Sequence, residues 1–282
     1  MNKTVLAHCL TVLLAGAASV NAQTAATPPP AAPPPAAPAA AAPAAPAPPS
    51  WSTTVTPTYV SEYMFRGVKL GGNSFEPSVT STYGNWTIGV WVNDPISNSD
   101  KVPGQSDPEI DPSGSYTITI NDSTNIQPGF TWYTYCRAPT NQGFYRMTFE
   151  PNVALNYTSD GVTITPKLYY DVVLKGPTYE LDLAYTTPLK GIGSEFDWVA
   201  TVGAYDWTDS VKSASPKIKA TGDYWLVGFT MPFAVSKSAK IIVGYSYTGG
   251  GNANFKQGNG PDVPNTAAVN RGVVTASLAW TF

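Results

Sequence analysis

The last eleven residues, Gly272 to Phe282, read G-V-V-T-A-S-L-A-W-T-F. From Val274 on, every second residue is apolar: Val274, Ala276, Leu278, Trp280 and Phe282. The residues between them, Val273, Thr275, Ser277, Ala279 and Thr281, are mostly small or hydroxylated. Side chains alternate faces along a strand, so this segment has one greasy face and one milder face. Its length, about ten residues, is what a tilted strand needs to cross a bilayer. Two folds accommodate such a strand: the wall of a transmembrane barrel, or the last strand of a soluble β-sandwich.

Composition decides how the chain reaches its site of action. Charged residues make up only 12% of the 282, yet the mean hydropathy is only −0.11, too polar for a bundle of membrane helices. Residues 1–22 carry one basic residue, Lys3, then an apolar run from Val5 to Val20, and end in Val20-Asn21-Ala22, a small-residue cleavage site. This is the pattern of an export signal. Its removal takes away His8, the only histidine, and Cys9, leaving Cys136 as the only mature cysteine. A Ser-His-Asp triad, a Cys-His pair and histidine-based metal sites all need an imidazole, so these mechanisms are excluded for the mature chain. An intrachain disulfide is excluded as well. Loss of Lys3 takes the formal charge from −3 to −4, and with no basic run anywhere nothing predicts nucleic-acid binding.

Residues 23–50 form an Ala/Pro-rich linker. Proline removes backbone donors and favours extended polyproline II, so this stretch cannot join a sheet and acts as a semi-rigid spacer. From Trp51 onward, alternating segments recur near 51–62, 74–82, 86–92, 109–120, 126–135, 147–157, 162–170, 178–187, 196–205, 223–231, 239–247 and 272–282. That is about twelve strands, an even number. The breaks at 83–85, 121–125, 158–161, 188–195 and 232–238 are short. The alternate ones, including 63–73, 93–108 and 248–271, are mostly longer and richer in Gly, Asn, Pro and Lys. Short turns on one rim and long loops on the other predict an all-β transmembrane, antiparallel, up-and-down barrel over 51–282, with periplasmic turns and extracellular loops.

Parity assigns the faces. Tyr179, Leu181, Leu183 and Tyr185 alternate with Thr178, Glu180, Asp182, Ala184 and Thr186. Carboxylates are costly against lipid, so Glu180 and Asp182 are predicted to face the lumen. The same argument places Glu62, Glu109, Asp111, Asp171 and Asp197 inside, opposed by Lys167 and Arg66. This acidic surplus predicts a weak preference for cations. Arg66 follows Glu62 by four positions on the same parity, which predicts an ion pair near the outer rim, and Gly67 allows a tight turn beside it. Asp107, Glu109 and Asp111 offer hard oxygens but not at the spacing of a calcium loop, and no metal or other cofactor is expected. Gly249-Gly250-Gly251 lacks the Lys-Ser/Thr of a phosphate loop.

The segment Tyr59-Val60-Ser61-Glu62-Tyr63-Met64-Phe65-Arg66-Gly67-Val68 resembles the opening motif, V-S-[DE]-Y-x-F-R-G-[IV], of the TorF-like outer-membrane porin family. The likeness continues more weakly at Gly84 to Trp91 and at Glu109-Ile110-Asp111. The closing strand, ending in Phe282, resembles the C-terminal strand that the barrel assembly machinery reads in bacterial outer-membrane proteins. The resemblance implies a cell outer membrane location, contact with outer-membrane lipid and passage of small hydrophilic solutes, without a catalytic residue. Porins often form trimers, so a homo-oligomer is compatible with this reading, although no segment marks a subunit interface. Two other readings remain open: a soluble all-β domain that binds or cleaves carbohydrate, and a barrel closed by its own side chains that anchors to the cell wall through the linker.

Overall fold

The computed structural model describes residues 50–96, 108–136, 147–208, 219–250 and 270–282. The export signal, almost all of the linker and most of the long breaks lie outside these residues, as does Asp107. Every element within them is a strand. In chain order the wall strands are β1 (Trp51–Thr56, continued by Thr58–Val60), β2 (Ser74–Phe75, continued by Ser78–Tyr83), β3 (Trp86–Pro95), β4 (Glu109–Tyr116, continued by Ile118–Asn121), β5 (Thr124–Tyr135) and β6 (Met147–Ser159). The second half comprises β7 (Val162–Asp171), β8 (Gly176–Leu189), β9 (Ser194–Thr208), β10 (Lys219–Ala234), β11 (Ala239–Gly250) and β12 (Arg271–Thr281).

Each strand pairs antiparallel with its sequence neighbours, and β12 returns to β1 through Thr281↔Thr54 and Thr275↔Val60. Closure leaves no sheet edge to satisfy. The chain is a closed, twelve-stranded, up-and-down β-barrel. The soluble sandwich is thereby corrected: among the described residues the wall is one sheet closed on itself rather than two open sheets packed face to face.

The strands fall where the sequence places them and extend further towards the long-loop rim, as in β9 and β10, because pairing continues past the apolar band. At Pro57 the wall is interrupted, since proline has no N–H to give, but its carbonyl still accepts from Leu278 N at 3.2 Å. The turn between β6 and β7 uses Asp160 (φ 51°) and Gly161 (φ 79°), two left-handed residues whose twist matches the hairpin they join.

Parity holds around the wall. Tyr179, Leu181, Leu183 and Tyr185 are exposed on the outside, while Thr178, Glu180 and Asp182 are buried within. Ile241, Val243, Tyr245 and Tyr247 lie outside too, as do Val274, Leu278 and Trp280. This is a soluble protein turned inside out, the arrangement that a lipid surround requires. Rings gather near the short-turn rim: Trp51 stacks on Tyr83, Trp86 meets Tyr116, and Trp280 stacks on Phe282. Aromatic rings of this kind suit a headgroup zone.

One segment departs from the expected plan. After Val60 the chain leaves the wall, and Tyr63–Phe65 pairs with Val68–Gly71 as a separate two-stranded hairpin inside the barrel. Its turn is Arg66 (φ 43°) and Gly67 (φ 75°). The stretch 63–73 is therefore an inward-folded plug rather than an external loop. Tyr63, Phe65, Val68 and Leu70 are all at most 3% exposed, packed with Trp91, Leu174, Tyr205, Trp207 and Tyr224 from the wall. Full burial of such side chains is worth about 1.5–3 kcal/mol each, which explains why an alternating Tyr-x-Phe, Val-x-Leu hairpin seeks the lumen over water.

Candidate functional site

The hairpin carries Arg66 across the lumen. Its Nη1 and Nη2 donate to Oε2 and Oε1 of Glu150 on β6, both at 2.9 Å. Glu150 is wholly buried and also accepts from the Tyr133 hydroxyl at 2.9 Å. The guanidinium lies over the rings of Phe65 (4.6 Å), Tyr169 (4.9 Å) and Trp207 (5.8 Å). Burial alone would lower the Arg66 pKa, but the Glu150 carboxylate together with Tyr224 and Tyr133 outweighs this, and the group sits well above its ordinary value. Arg66 is a permanent cation.

A second cluster adjoins the first. Glu180 accepts from Tyr224 at 2.6 Å, from Tyr169 at 2.9 Å and from Lys167 Nζ at 3.2 Å. Lys167 also pairs with Asp182, which accepts from Thr201 at 2.6 Å. Tyr169 thus joins the two clusters, touching Arg66 with its ring face and Glu180 with its hydroxyl. The Tyr63 hydroxyl donates to Glu109 on β4 at 3.0 Å, and the Tyr63 ring meets Trp91. At the tip there is no room to spare: a Cβ on Gly67 would lie 2.5 Å from the Gly249 carbonyl oxygen. Beside the hairpin remains a cavity of about 50 Å³, bordered by Glu62, Met64, Arg66, Glu76, Tyr224 and Ser246. That is space for about three or four waters.

The structure gathers Arg66, Lys167, Glu180 and Asp182 into one region and sets Glu109 and Asp111 apart from it on β4. It corrects the expected Glu62–Arg66 pair. Glu62 instead lies 3.6 Å from both Lys69 and Arg271, and Arg66 reaches Glu150. Counting parity from Glu62 to Arg66 assumed an unbroken strand, and the chain leaves the wall between them. Asp171 fastens a turn: it accepts from Thr148 and from the backbone N–H groups of Val173 and Leu174, tucking Leu174 inside. Asp197 stands apart in the short-turn half, accepting from Thr186 at 2.8 Å. Sequence reasoning missed Glu150, Glu76 and Asn93. The rule that placed Glu180 would have found Glu150, because it alternates with Met147 and Phe149, which are exposed on the outer surface.

Towards the short-turn rim the interior changes character. Thr58 bonds Ser277, Thr54 bonds Thr281, Asn156 donates to Asn125, and Gln127 donates to Thr117. These are neutral side chains bonded along the wall. Among the described residues no three acidic, histidine or cysteine side chains converge as a metal site.

The sequence matches no family model and no curated protein. Several solved barrels resemble it in architecture. A NanC porin is 13% identical, with a TM-score of 0.49 over 81% of this chain and 98% of that one. A KdgM porin is 12% identical, with a TM-score of 0.48 over 81% and 99%. LpxR from Salmonella typhimurium is 9% identical, with a TM-score of 0.41 over 82% and 100%.

Proposed function

We propose that the protein is an outer-membrane channel of the porin class, passing small hydrophilic solutes through a lumen narrowed by the 61–73 segment. The observation that carries this reading is the polarity of the lumen inside an apolar wall: hydroxyls and amides along one half, and a hydrogen-bonded ion-pair network at the constriction. The constriction also holds the hairpin's apolar cluster, but its charged groups are the kind that screen solutes. Adding Glu76 and Glu150 to the acids read from the sequence enlarges their excess over Arg66, Lys69 and Lys167, and so favours cations. The TorF-like resemblance at Tyr59 to Val68 is consistent with this role. So is the exposed Phe282 at the end of β12, as the handle for barrel assembly.

The test is planar-bilayer conductance of the full-length chain refolded in detergent, with heat-dependent gel mobility first establishing that the barrel has formed. Small stepwise currents, with a reversal potential favouring cations across a salt gradient, are expected. Anion preference would overturn the selectivity. The burial of Tyr63, Phe65, Val68 and Leu70 on the hairpin favours one second reading, a closed barrel with a structural role, and a folded barrel with no current steps would select it.

A further inference from the structure

The groups that hold Arg66 form a recognition site in their own right. Glu150 supplies both carboxylate oxygens, and Tyr169 and Trp207 supply ring faces at 4.9 and 5.8 Å. All three belong to the wall, on β6, β7 and β9. Each is anchored without Arg66: Glu150 by the Tyr133 hydroxyl, Tyr169 by its bond to Glu180, and Trp207 by donation from Nε1 to Thr178 at 3.2 Å. The cradle would keep its shape if the arginine withdrew.

The arginine belongs to a part of the chain that stands off the wall. The hairpin is a two-stranded sheet with no strand pairing to the barrel wall. Its tip residue holds a left-handed backbone that non-glycine residues enter at a cost. A carboxylate that accepts a two-pronged donor, between two aromatic faces, selects a planar delocalised cation over a compact ammonium. Emptied of any cation, it would leave Glu150 buried with the Tyr133 hydroxyl but no counter-charge, so an incoming cation of the right shape gains a large interaction.

We infer that Glu150, Tyr169 and Trp207 form a binding site for organic cations bearing a guanidinium group, and that Arg66 occupies this site in cis as a built-in competitor. A solute of this class, reaching the constriction, takes the place of Arg66 and releases the hairpin tip. The inference rests on the channel reading for the solute's route to the site, but binding itself can be measured without current.

The probe is propylguanidine, which matches the arginine side chain beyond Cα, with butylammonium as the compact-cation control. Arg66→Gly vacates the cradle while easing the left-handed backbone. The full-length variant, shown folded by gel mobility, is titrated in detergent and followed by tryptophan fluorescence and thermal unfolding. Propylguanidine is expected to saturate Arg66→Gly at a concentration about tenfold or more below that needed for the wild type, whose tethered arginine competes at high local concentration. Butylammonium should bind more weakly, and adding Glu150→Gln should abolish the saturable response. A folded Arg66→Gly that shows no saturable response, or one unchanged by Glu150→Gln, overturns the proposal. If Arg66→Gly does not fold, Arg66→Lys carries the test. Its ammonium makes a poorer match, so propylguanidine should act at a lower concentration than in the wild type, and an equal threshold overturns the site. Binding without current in any variant refutes the channel and leaves the site. Current with no response to propylguanidine in Arg66→Gly refutes the site and leaves the channel.

Discussion

The two halves of the lumen are built by the same twelve strands on the same parity, yet they solve different problems. Near the short turns, inward threonines, serines and amides bond sideways to one another, as Thr58 does to Ser277 and Asn156 to Asn125. Near the long loops, the interior is packed with rings and ion pairs around an inserted hairpin. Eight strands make a barrel that side chains alone can fill, whereas twelve leave space over. Strand number therefore sets the width of the lumen but not whether it is open. In this protein the inserted hairpin, Tyr63 to Gly71, takes up that space in the long-loop half.

The sharpest way to break the comparison is to make the halves alike. Replacing residues 62–72 by a short Gly/Ser connection removes the plug and leaves every wall strand in place. Unitary conductance is expected to rise about tenfold, since the narrowest section then passes from a packed hairpin to wall side chains alone. Planar-bilayer recordings on the refolded chain check this. Conductance equal to that of the wild type would mean that the path avoids the hairpin or that another segment closes it.

A narrower cut targets the contact that ties the hairpin to the far wall. Glu150→Gln leaves the Arg66 guanidinium without its carboxylate, although both side chains are at most 4% exposed. Removing one partner of such a buried pair costs about 3–5 kcal/mol, unless the hairpin escapes to water. The measurement is the denaturant midpoint of the folded barrel together with protease sensitivity near Arg66. Loss of stability without cleavage indicates a hairpin that stays in place, and cleavage without loss of stability indicates one that swings out. An unchanged midpoint and unchanged protection would contradict the packing described for Arg66.

These contrasts also explain what could be read from the sequence. The wall was legible because its rule is local: Glu180 and Asp182 alternate with Leu181 and Leu183, and lipid tolerates only one of the two sets. Glu109, Lys167 and Asp182 on the wall strands are buried, on the parity opposite to the exposed apolar set. The site was only partly legible because the hairpin's partners are remote. Arg66 meets Glu150 from 84 residues away, and Phe65 and Val68 pack with Leu174 and Trp207. No periodicity within 61–73 can name those partners. The hairpin itself did leave a trace, since alternating Tyr63, Phe65, Val68 and Leu70 flank an Arg-Gly turn. Such a pattern specifies a hairpin without saying on which side of the wall it lies.

The smallest expected effect comes from the quieter half and tests whether it is quiet. Thr58→Val keeps the shape of the side chain and removes its 2.9 Å bond to Ser277. Thr58 is 8% exposed, and Ser277 borders the partly open interior, so the serine can turn to water and little is left unsatisfied. A neutral hydrogen bond of this kind contributes about 0.5–1.5 kcal/mol, and solvent access to its partner puts this one at the lower end. Unitary conductance should not change, because the narrowest section lies at the hairpin and not at the Thr58 ring of hydroxyls. If Thr58→Val alters current or ion preference as strongly as Glu150→Gln, resistance is spread along the whole lumen. The two halves would then act as one filter, with the hairpin as merely its most crowded part.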